Sequence, residues 1–491
     1  MKREDDLIFI KSAAVSRWCL GIVGAMLALA ATTLASKPAY ALPSFARQTG
    51  QPCGACHTDF PQLTPFGRRF KIGGYTLGGG DNKVLGQGGW VPPLSMMIIG
   101  DWTHTETPVS GPSFGPSALH NNDNSTLNTV SLFYGGAITD HIGAFIQGTY
   151  NGPVTANPGP PVGVSSAQYL FHWDNTDIRV ADTTKIAGID VLYGLDFNNS
   201  PTVSDPWNTT PAWSWPFQSS PYMAAAGPAF TPATTILDGP FAQHVIGAGG
   251  YLWINDMLYI EAEAYKSTPS RLSANLGIDP NVELGSIDAF APYWRVAFEP
   301  SWGPNTWEVG TFGMSADVNP QPLVFFGSAG TDHYTDIGFD SQYQYHGDNF
   351  WVTLKALYIH EQQTFNASTV LGLASNASDT LQSFRAQASI SYGDNNKVVF
   401  TGGYFNTWGT SDALLYSTSA TGSPNTDGWV AEVAYIPYGT GSPEIWPWFN
   451  ARLGLQYVWY DKFFGASTNY DGLGTNARDN NALYAYAWIA F

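Results

Sequence analysis

Few charges, segments of about ten residues that alternate apolar and polar, and connections that alternate long and short predict an all-β fold. The expected architecture is an antiparallel β-barrel of about sixteen strands, preceded by a small N-terminal segment. Only 12% of the 491 residues are charged, while 44% are hydrophobic and 14% aromatic; soluble domains are usually about 25% charged. The mean hydropathy of −0.11 is nevertheless too low for a bundle of apolar helices. A net charge of −18 leaves no basic surface for nucleic acid. The aromatic content excludes a disordered chain.

Residues 1–41 read as a signal peptide. Lys2, Arg3, Lys11 and Arg17 make a positive region, interrupted by Glu4, Asp5 and Asp6. An apolar run from Trp18 to Leu34 and the small-x-small cleavage signal Ala39-Tyr40-Ala41 follow. The run is short for a spanning helix of about 20 residues, so export rather than anchoring is expected. The mature chain then starts at Leu42 and has lost Cys19.

The two remaining cysteines stand in Cys53-Gly54-Ala55-Cys56-His57, within a segment spanning 42–93. C-x-x-C-H is the spacing of covalent c-type haem attachment. Thiols three residues apart each form a thioether to one vinyl group, and the adjacent imidazole of His57 reaches the iron. A structural disulfide, a redox dithiol and half a zinc site are the other uses of such a pair. Zinc needs four ligands, and no second Cys pair exists; a redox dithiol belongs beside a βαβ pattern, which is absent. One covalently attached haem c is the expectation. For the distal ligand, Met97 falls on the same strand face as Ser95, Asp101 and Thr103, the lumen side, whereas Met96 falls on the lipid side with Leu94, Ile98 and Trp102. Met314 is a substitute, and an ordinary packed Met is the plainer reading of either. About fifty residues with few large apolar side chains (Phe45, Phe60, Leu63, Phe66, Phe70, Ile72, Tyr75) cannot enclose a macrocycle alone. The segment is therefore expected to dock in the barrel mouth as a plug, through a glycine-rich link at Gly73, Gly74 and Gly78–Gly80.

The barrel is expected over 94–491. In Leu258–Tyr265, Leu258, Ile260, Ala262 and Ala264 oppose Tyr259, Glu261, Glu263 and Tyr265. In Ala451–Tyr460, Leu453, Leu455, Tyr457 and Trp459 oppose Arg452, Gln456 and Tyr460. A charge is tolerated in a wet lumen but costs about 2–4 kcal/mol at the lipid midplane. Sixteen such segments are expected near 94–104, 127–138, 141–151, 168–181, 186–197, 242–253, 257–266, 291–299, 305–316, 331–345, 349–361, 380–392, 397–408, 428–437, 449–461 and 482–491. Short links such as Thr139–Asp140, 182–185 and 254–256 belong to the periplasmic side of an outer-membrane barrel, and long ones to the outside. Both chain ends then lie in the periplasm, with outer-membrane lipid as the surrounding partner. The terminal Phe491 resembles the ending of bacterial outer-membrane barrels. The longest link, 198–241, is rich in Pro, Ser and Trp; folding inward to narrow the pore and capping the surface are both open to it.

Phe45-Ala46-Arg47-Gln48-Thr49-Gly50, the Cys53–His57 motif, Pro61-Gln62-Leu63-Thr64-Pro65-Phe66-Gly67-Arg68-Arg69-Phe70-Lys71 and Gly74-Tyr75-Thr76 form one short block. This block resembles that of the fused monohaem cytochrome–porins of the outer membrane, whose best-known members are iron(II) oxidases of iron-oxidising bacteria. The resemblance implies haem attachment at Cys53 and Cys56 and proximal ligation by His57. It also implies electron transfer of the iron(II):cytochrome c oxidoreductase type, from extracellular Fe(II) to a periplasmic cytochrome or cupredoxin. Arg47, Arg68, Arg69 and Lys71 are candidates, by charge, for the haem propionates; solvated or lumen-facing basic residues are the alternative. Two rival functions stand beside this one: a conduit for another extracellular donor or acceptor, and a solute porin with a structural haem. The loop carboxylates (Glu106, Asp123, Asp317, Asp332, Asp427, Asp471) are scattered and give no compact iron site. His120, His172, His244, His333, His346 and His360 are dispersed, and no catalytic triad, P-loop or dinucleotide fingerprint occurs.

Overall fold

A computed structural model describes residues 43–59, 61–78, 93–108, 122–151, 171–213, 216–223, 225, 229–278, 284–320, 330–393, 396–439 and 449–491. The signal peptide and its cleavage signal, Phe60, Gly79, Gly80, His120 and Trp215 lie outside the described residues.

Sixteen long strands form one closed antiparallel sheet. They are β1 (Leu94–Thr105), β2 (Asp123–Ala137), β3 (Ile142–Asn151), β4 (Phe171–Ile186), β5 (Ile189–Asn198), β6 (Val245–Ile254), β7 (Leu258–Ser267) and β8 (Ala291–Phe298), continued by β9 (Asn305–Asn319), β10 (Asp332–His346), β11 (Phe350–Thr364), β12 (Ser378–Tyr392), β13 (Val398–Gly409), β14 (Thr426–Tyr435), β15 (Asn450–Lys462) and β16 (Ala482–Ala490). Each pairs with the next, and β16 pairs with β1 from Ala482↔Thr105 to Ala490↔Met97, which leaves no open edge. Closure is what lets strands cross hydrocarbon, because every backbone N–H and C=O finds a neighbour. Two-residue pieces at Ser286–Ile287 and Ser301–Trp302 extend the sheet beside β9.

The alternation read from the sequence decides which face is which. In β7, Tyr259, Glu261, Glu263 and Tyr265 are buried while Ile260 is exposed. In β8, Tyr293 and Arg295 point inward and Trp294, Val296 and Phe298 outward. This pattern inverts a soluble protein: Leu195, Phe197, Phe339, Phe400, Leu453 and Leu455 face out, and Arg179, Arg295, Arg385 and Arg452 are buried inside. Trp429 stacks on Trp459 at 6.4 Å on the outer face, part of the aromatic belt expected at a lipid boundary.

One connection departs from expectation. The link placed at 182–185 is strand: β4 runs on to Ile186, and the chain reverses at Ala187 and Gly188, both with positive φ (51° and 83°). The polar run Asp182-Thr183-Thr184-Lys185 is exposed on both faces, so the hairpin loses its alternation there and reads as a turn.

The long link after β5 folds inward. A short helical turn, Pro201–Ser204, and most described residues from Ser200 to Phe241 are buried. Trp207 Nε1 donates to Glu299, and Thr209 Oγ1 donates to Asp340 on β10. Further along, Gln456 on β15 donates to Gln218 O at 2.8 Å, Thr231 bonds Thr407 on β13 at 2.9 Å, and Asp238 pairs with Arg385 on β12. The link thus crosses the lumen and touches strands around much of its circumference.

Candidate functional site

The N-terminal segment folds as three short helices, α1 (Pro43–Thr49), α2 (Cys53–Cys56) and α3 (Pro65–Ile72), with a two-strand ribbon pairing His57–Asp59 with Gln62–Leu63. Thr64 caps α3: its hydroxyl accepts from Gly67 N–H at 3.1 Å and donates to Ala55 O at 2.5 Å, and Pro65 opens the helix. Gly67 is dictated by contact, since a Cβ there would lie 2.3 Å from Cys56 O where α3 crosses α2.

The segment lies inside the barrel at the end of the short turns. Gln48 donates to Tyr75 O at 2.6 Å and accepts from Ala137 N–H at 2.8 Å, joining α1 to β2. Ser44 N–H donates to Ser95 Oγ at 3.1 Å. Arg68 is buried 2.8 Å from Glu299 and donates to Leu63 O and to Gln344 on β10. Asp59 pairs with Arg452 of β15. The barrel wall is cut to fit: a Cβ at Gly143 would meet Gly74 O at 2.1 Å.

Cys53, Cys56 and His57 line one cavity with an empty volume of about 1230 Å³, its mouth included. No disulfide joins the two thiols, and α2 is the single helical turn that presents both. Three walls complete the cavity. The segment supplies Phe45, Phe70 and Tyr75; the barrel supplies Met97, Phe133, Phe145 and Trp488; the inward link supplies Val203, Pro206 and Trp213. Phe45 stacks on Tyr75 with ring centroids 5.4 Å apart, and Phe145 meets Trp213 edge-on at 5.9 Å. The walls are large, apolar and aromatic, with few polar groups, as sites for flat apolar cofactors are.

His57 Nδ1 lies 2.9 Å from Pro61 O. A carbonyl only accepts, so Nδ1 carries the proton and Nε2 the lone pair, the tautomer a metal-bound imidazole needs. Burial pulls the His57 pKa down to about 4, keeping the ring neutral. Burial, reinforced by Cys53, pushes the Cys56 thiol up to about 12, so it is protonated.

Met97 points into the lumen, 4% exposed, and lines the cavity; Met96 faces outward. Met314 also faces inward but packs elsewhere, with Phe312, Tyr334 and Ile236 beneath the inward link, and is not among the lining residues. The four basic candidates part company. Lys71 lines the cavity, its ammonium donating to Val203 O and to Asp205 O and lying 3.6 Å from Asp177. Arg47 donates to Leu94 O at 2.6 Å, Arg68 is held by Glu299, and Arg69 pairs with Asp256 in the exposed β6–β7 turn. None of these three arginines is a lining residue. Sequence reasoning left open the residues of the inward link; the tryptophans at 207 and 213, unusual in a Pro- and Ser-rich loop, were the available signal.

A c-type haem fits this donor set: two thiols on one turn, a neutral imidazole of the right tautomer, a thioether in the same cavity lining, aromatic walls and one lysine. No protein-family model and no curated protein matches the sequence. Among solved structures the chain is similar to the outer-membrane channel DcaP of Acinetobacter baumannii (12% identity, 81% of this chain and 96% of that one, TM-score 0.42). It is also similar to OmpF of Salmonella typhi in complex with daunomycin (11%, 81% and 97%, TM-score 0.41) and to OprB of Pseudomonas putida (13%, 81% and 94%, TM-score 0.38). Likenesses this distant carry no argument about function.

Proposed function

We propose that the chain is an outer-membrane c-type cytochrome–porin that takes electrons from an extracellular donor, ferrous iron before others, and delivers them to a periplasmic cytochrome or cupredoxin. The observation that supports it most is the one cavity shared by Cys53, Cys56, His57 and Met97, with His57 Nδ1 committed to Pro61 O. Bound there, haem c would supply a one-electron iron(III)/iron(II) couple. The chain's own residues do the rest. Cys53 and Cys56 would tether the group, His57 Nε2 would ligate its iron, and the Met97 thioether is the candidate second ligand, one that would favour a raised potential. Lys71, at the cavity wall, is the basic side chain that would face a propionate. The aromatic walls would keep water from the bound group and so lower the dielectric around it.

An outward face this apolar on a closed barrel of even strand number suits the outer membrane. Short turns and both chain ends then face the periplasm, on the side of the proposed acceptor. Iron as donor rests on the resemblance of the 45–76 block, and on chemistry: ferric products are insoluble at neutral pH and are best formed outside. A solute porin with a structural haem needs a continuous aqueous path, and both the N-terminal segment and the inward link occupy the lumen.

The test is electron transfer across a sealed membrane. Liposomes containing the protein and entrapped ferricytochrome c receive Fe(II) anaerobically from outside. Reduction of the entrapped cytochrome, dependent on the protein, is expected. Reduction by other donors but never by Fe(II), at acid or neutral pH, would reassign the donor; rapid efflux of an entrapped dye would favour the porin.

A further inference from the structure

A second constellation lies in the lumen beside the cavity. Asp196 on β5 and Glu261 and Glu263 on β7 bring one carboxylate oxygen each within 4.8 Å of the others. Asp196 is fully buried, and the glutamates are 1% and 5% exposed. Register creates the meeting. Asp196 is opposite Gly249 of β6, and Gly249 is opposite Glu263, so two carboxylates approach across a residue with no side chain. A Cβ on Gly249 would stand 2.5 Å from Glu263 Cγ.

Three buried like charges repel strongly unless a cation joins them. Arg179 lies 2.7 Å from Asp196, but it also pairs with Asp177 at 2.9 Å, which Lys71 approaches at 3.6 Å. Along this connected row two cations meet four carboxylates. Tyr259 donates to Glu261 at 3.0 Å, Asn198 donates to both oxygens of Glu263 at 3.1 Å, and Tyr265 donates to Glu263 as well. Among the described residues, Glu261 Oε2 and Asp196 Oδ1 receive no donor. Independently, the Tyr293 hydroxyl, from the residue opposite Glu263 on β8, is buried at 2% exposure without a hydrogen-bond partner among the described residues.

We propose that Asp196, Glu261 and Glu263, with Tyr293 beside them, hold one resident divalent cation. An all-oxygen donor set selects the hard class, Mg²⁺, Ca²⁺, Mn²⁺ or Fe²⁺, over thiolate- and imidazole-seeking ions. The ion offsets the excess negative charge and binds β5 to β7. It also communicates with the cavity, because Asp196 contacts Arg179, Arg179 contacts Asp177, and Asp177 accepts from the Tyr75 hydroxyl at 2.6 Å. The site does not depend on the haem assignment.

Mn(II) is the probe. The full-length purified protein, stripped with chelator, reloaded and gel-filtered, is expected to retain about one Mn(II) per chain, as a rigid carboxylate site does. Manganese is counted per polypeptide and not per haem, so failure of the haem assignment leaves the result readable. Glu261→Gln and Glu263→Gln should each weaken Mn(II) binding by more than about a hundredfold, beyond the usual cost of an outer-shell loss. Gly249→Ala, which keeps all three carboxylates, should weaken it too. Tyr293→Phe removes one unpaired oxygen with little threat to folding and should cost about tenfold. A wild-type chain that retains no Mn(II) would mean that the carboxylates share protons instead, and would overturn the proposal. So would retention with unchanged affinity in the variants, their folding checked by β-type circular dichroism.

Discussion

His57 and Met97 approach the same cavity from opposite directions in sequence logic: one from the C-x-x-C-H spacing, the other from strand parity. Both were legible because each rule is local. On the proposed haem c site, Met97→Ala is expected to leave the group attached, since Cys53 and Cys56 are untouched. The midpoint potential should fall by at least about 59 mV, one tenfold step for a single electron. A potentiometric titration of the haem bands checks this; an unchanged potential removes Met97 as a ligand. The basic candidates were less legible, because a partner such as Glu299 for Arg68 is set by folding over hundreds of residues and not by neighbouring sequence. Arg68→Ala leaves Glu299 buried without its 2.8 Å partner, an effect of about 3–5 kcal/mol in stability, measurable as a lowered denaturant midpoint. Asp205 allows a pH test. Burial alone would raise its carboxyl, but Arg295, the Trp207 and Thr210 N–H groups and the Thr209 hydroxyl outweigh it and hold it below the ordinary range. A depressed pKa contributes stability that is complete above the unfolded value of about 3.9. That contribution disappears as pH falls through the folded value. Asp205→Asn should therefore destabilise the protein most near neutrality, and its difference from wild type should shrink on acidification below pH about 4. A constant difference across that range would contradict the assignment.

At the scale of elements, lipid enforces what the sequence can say. Every second residue must face hydrocarbon, so strand alternation survives any lumen content and all sixteen strands were readable. Where β4 and β5 leave that constraint, at Asp182–Ile186, the pattern faded and the turn was misplaced. Phe339 is 56% exposed at the centre of β10. Phe339→Arg should cost about 2–4 kcal/mol of stability in a bilayer, read by urea unfolding in lipid vesicles; no loss would argue against lipid at that position. The inward link was not readable, because a polar lumen wall looks the same whether it faces water or packed chain. Deleting 201–241 removes the hydrogen bonds of that link to Asp340, Gln456 and Thr407. Single-channel conductance, expected to be near zero in the wild type, should rise clearly; equal conductance in both would mean that the link does not obstruct the pore.

For the whole molecule, the barrel and the position of its two faces followed from composition and alternation, and the grouping of Cys53, Cys56 and His57 on one cavity wall from the five-residue C-x-x-C-H spacing. The filling of the lumen did not. It depends on two separate insertions, the N-terminal helices and the link after β5, meeting at Lys71, Val203 and Asp205. Their meeting turns a pore-sized cylinder into an insulated support for one cavity. The most direct measurement is anaerobic titration of the purified, oxidised full-length protein with Fe(II), followed in the visible spectrum. A c-type α band growing to about one electron per chain is the expected result. A colourless chain, or a haem spectrum unmoved by excess Fe(II) at every pH, would contradict it.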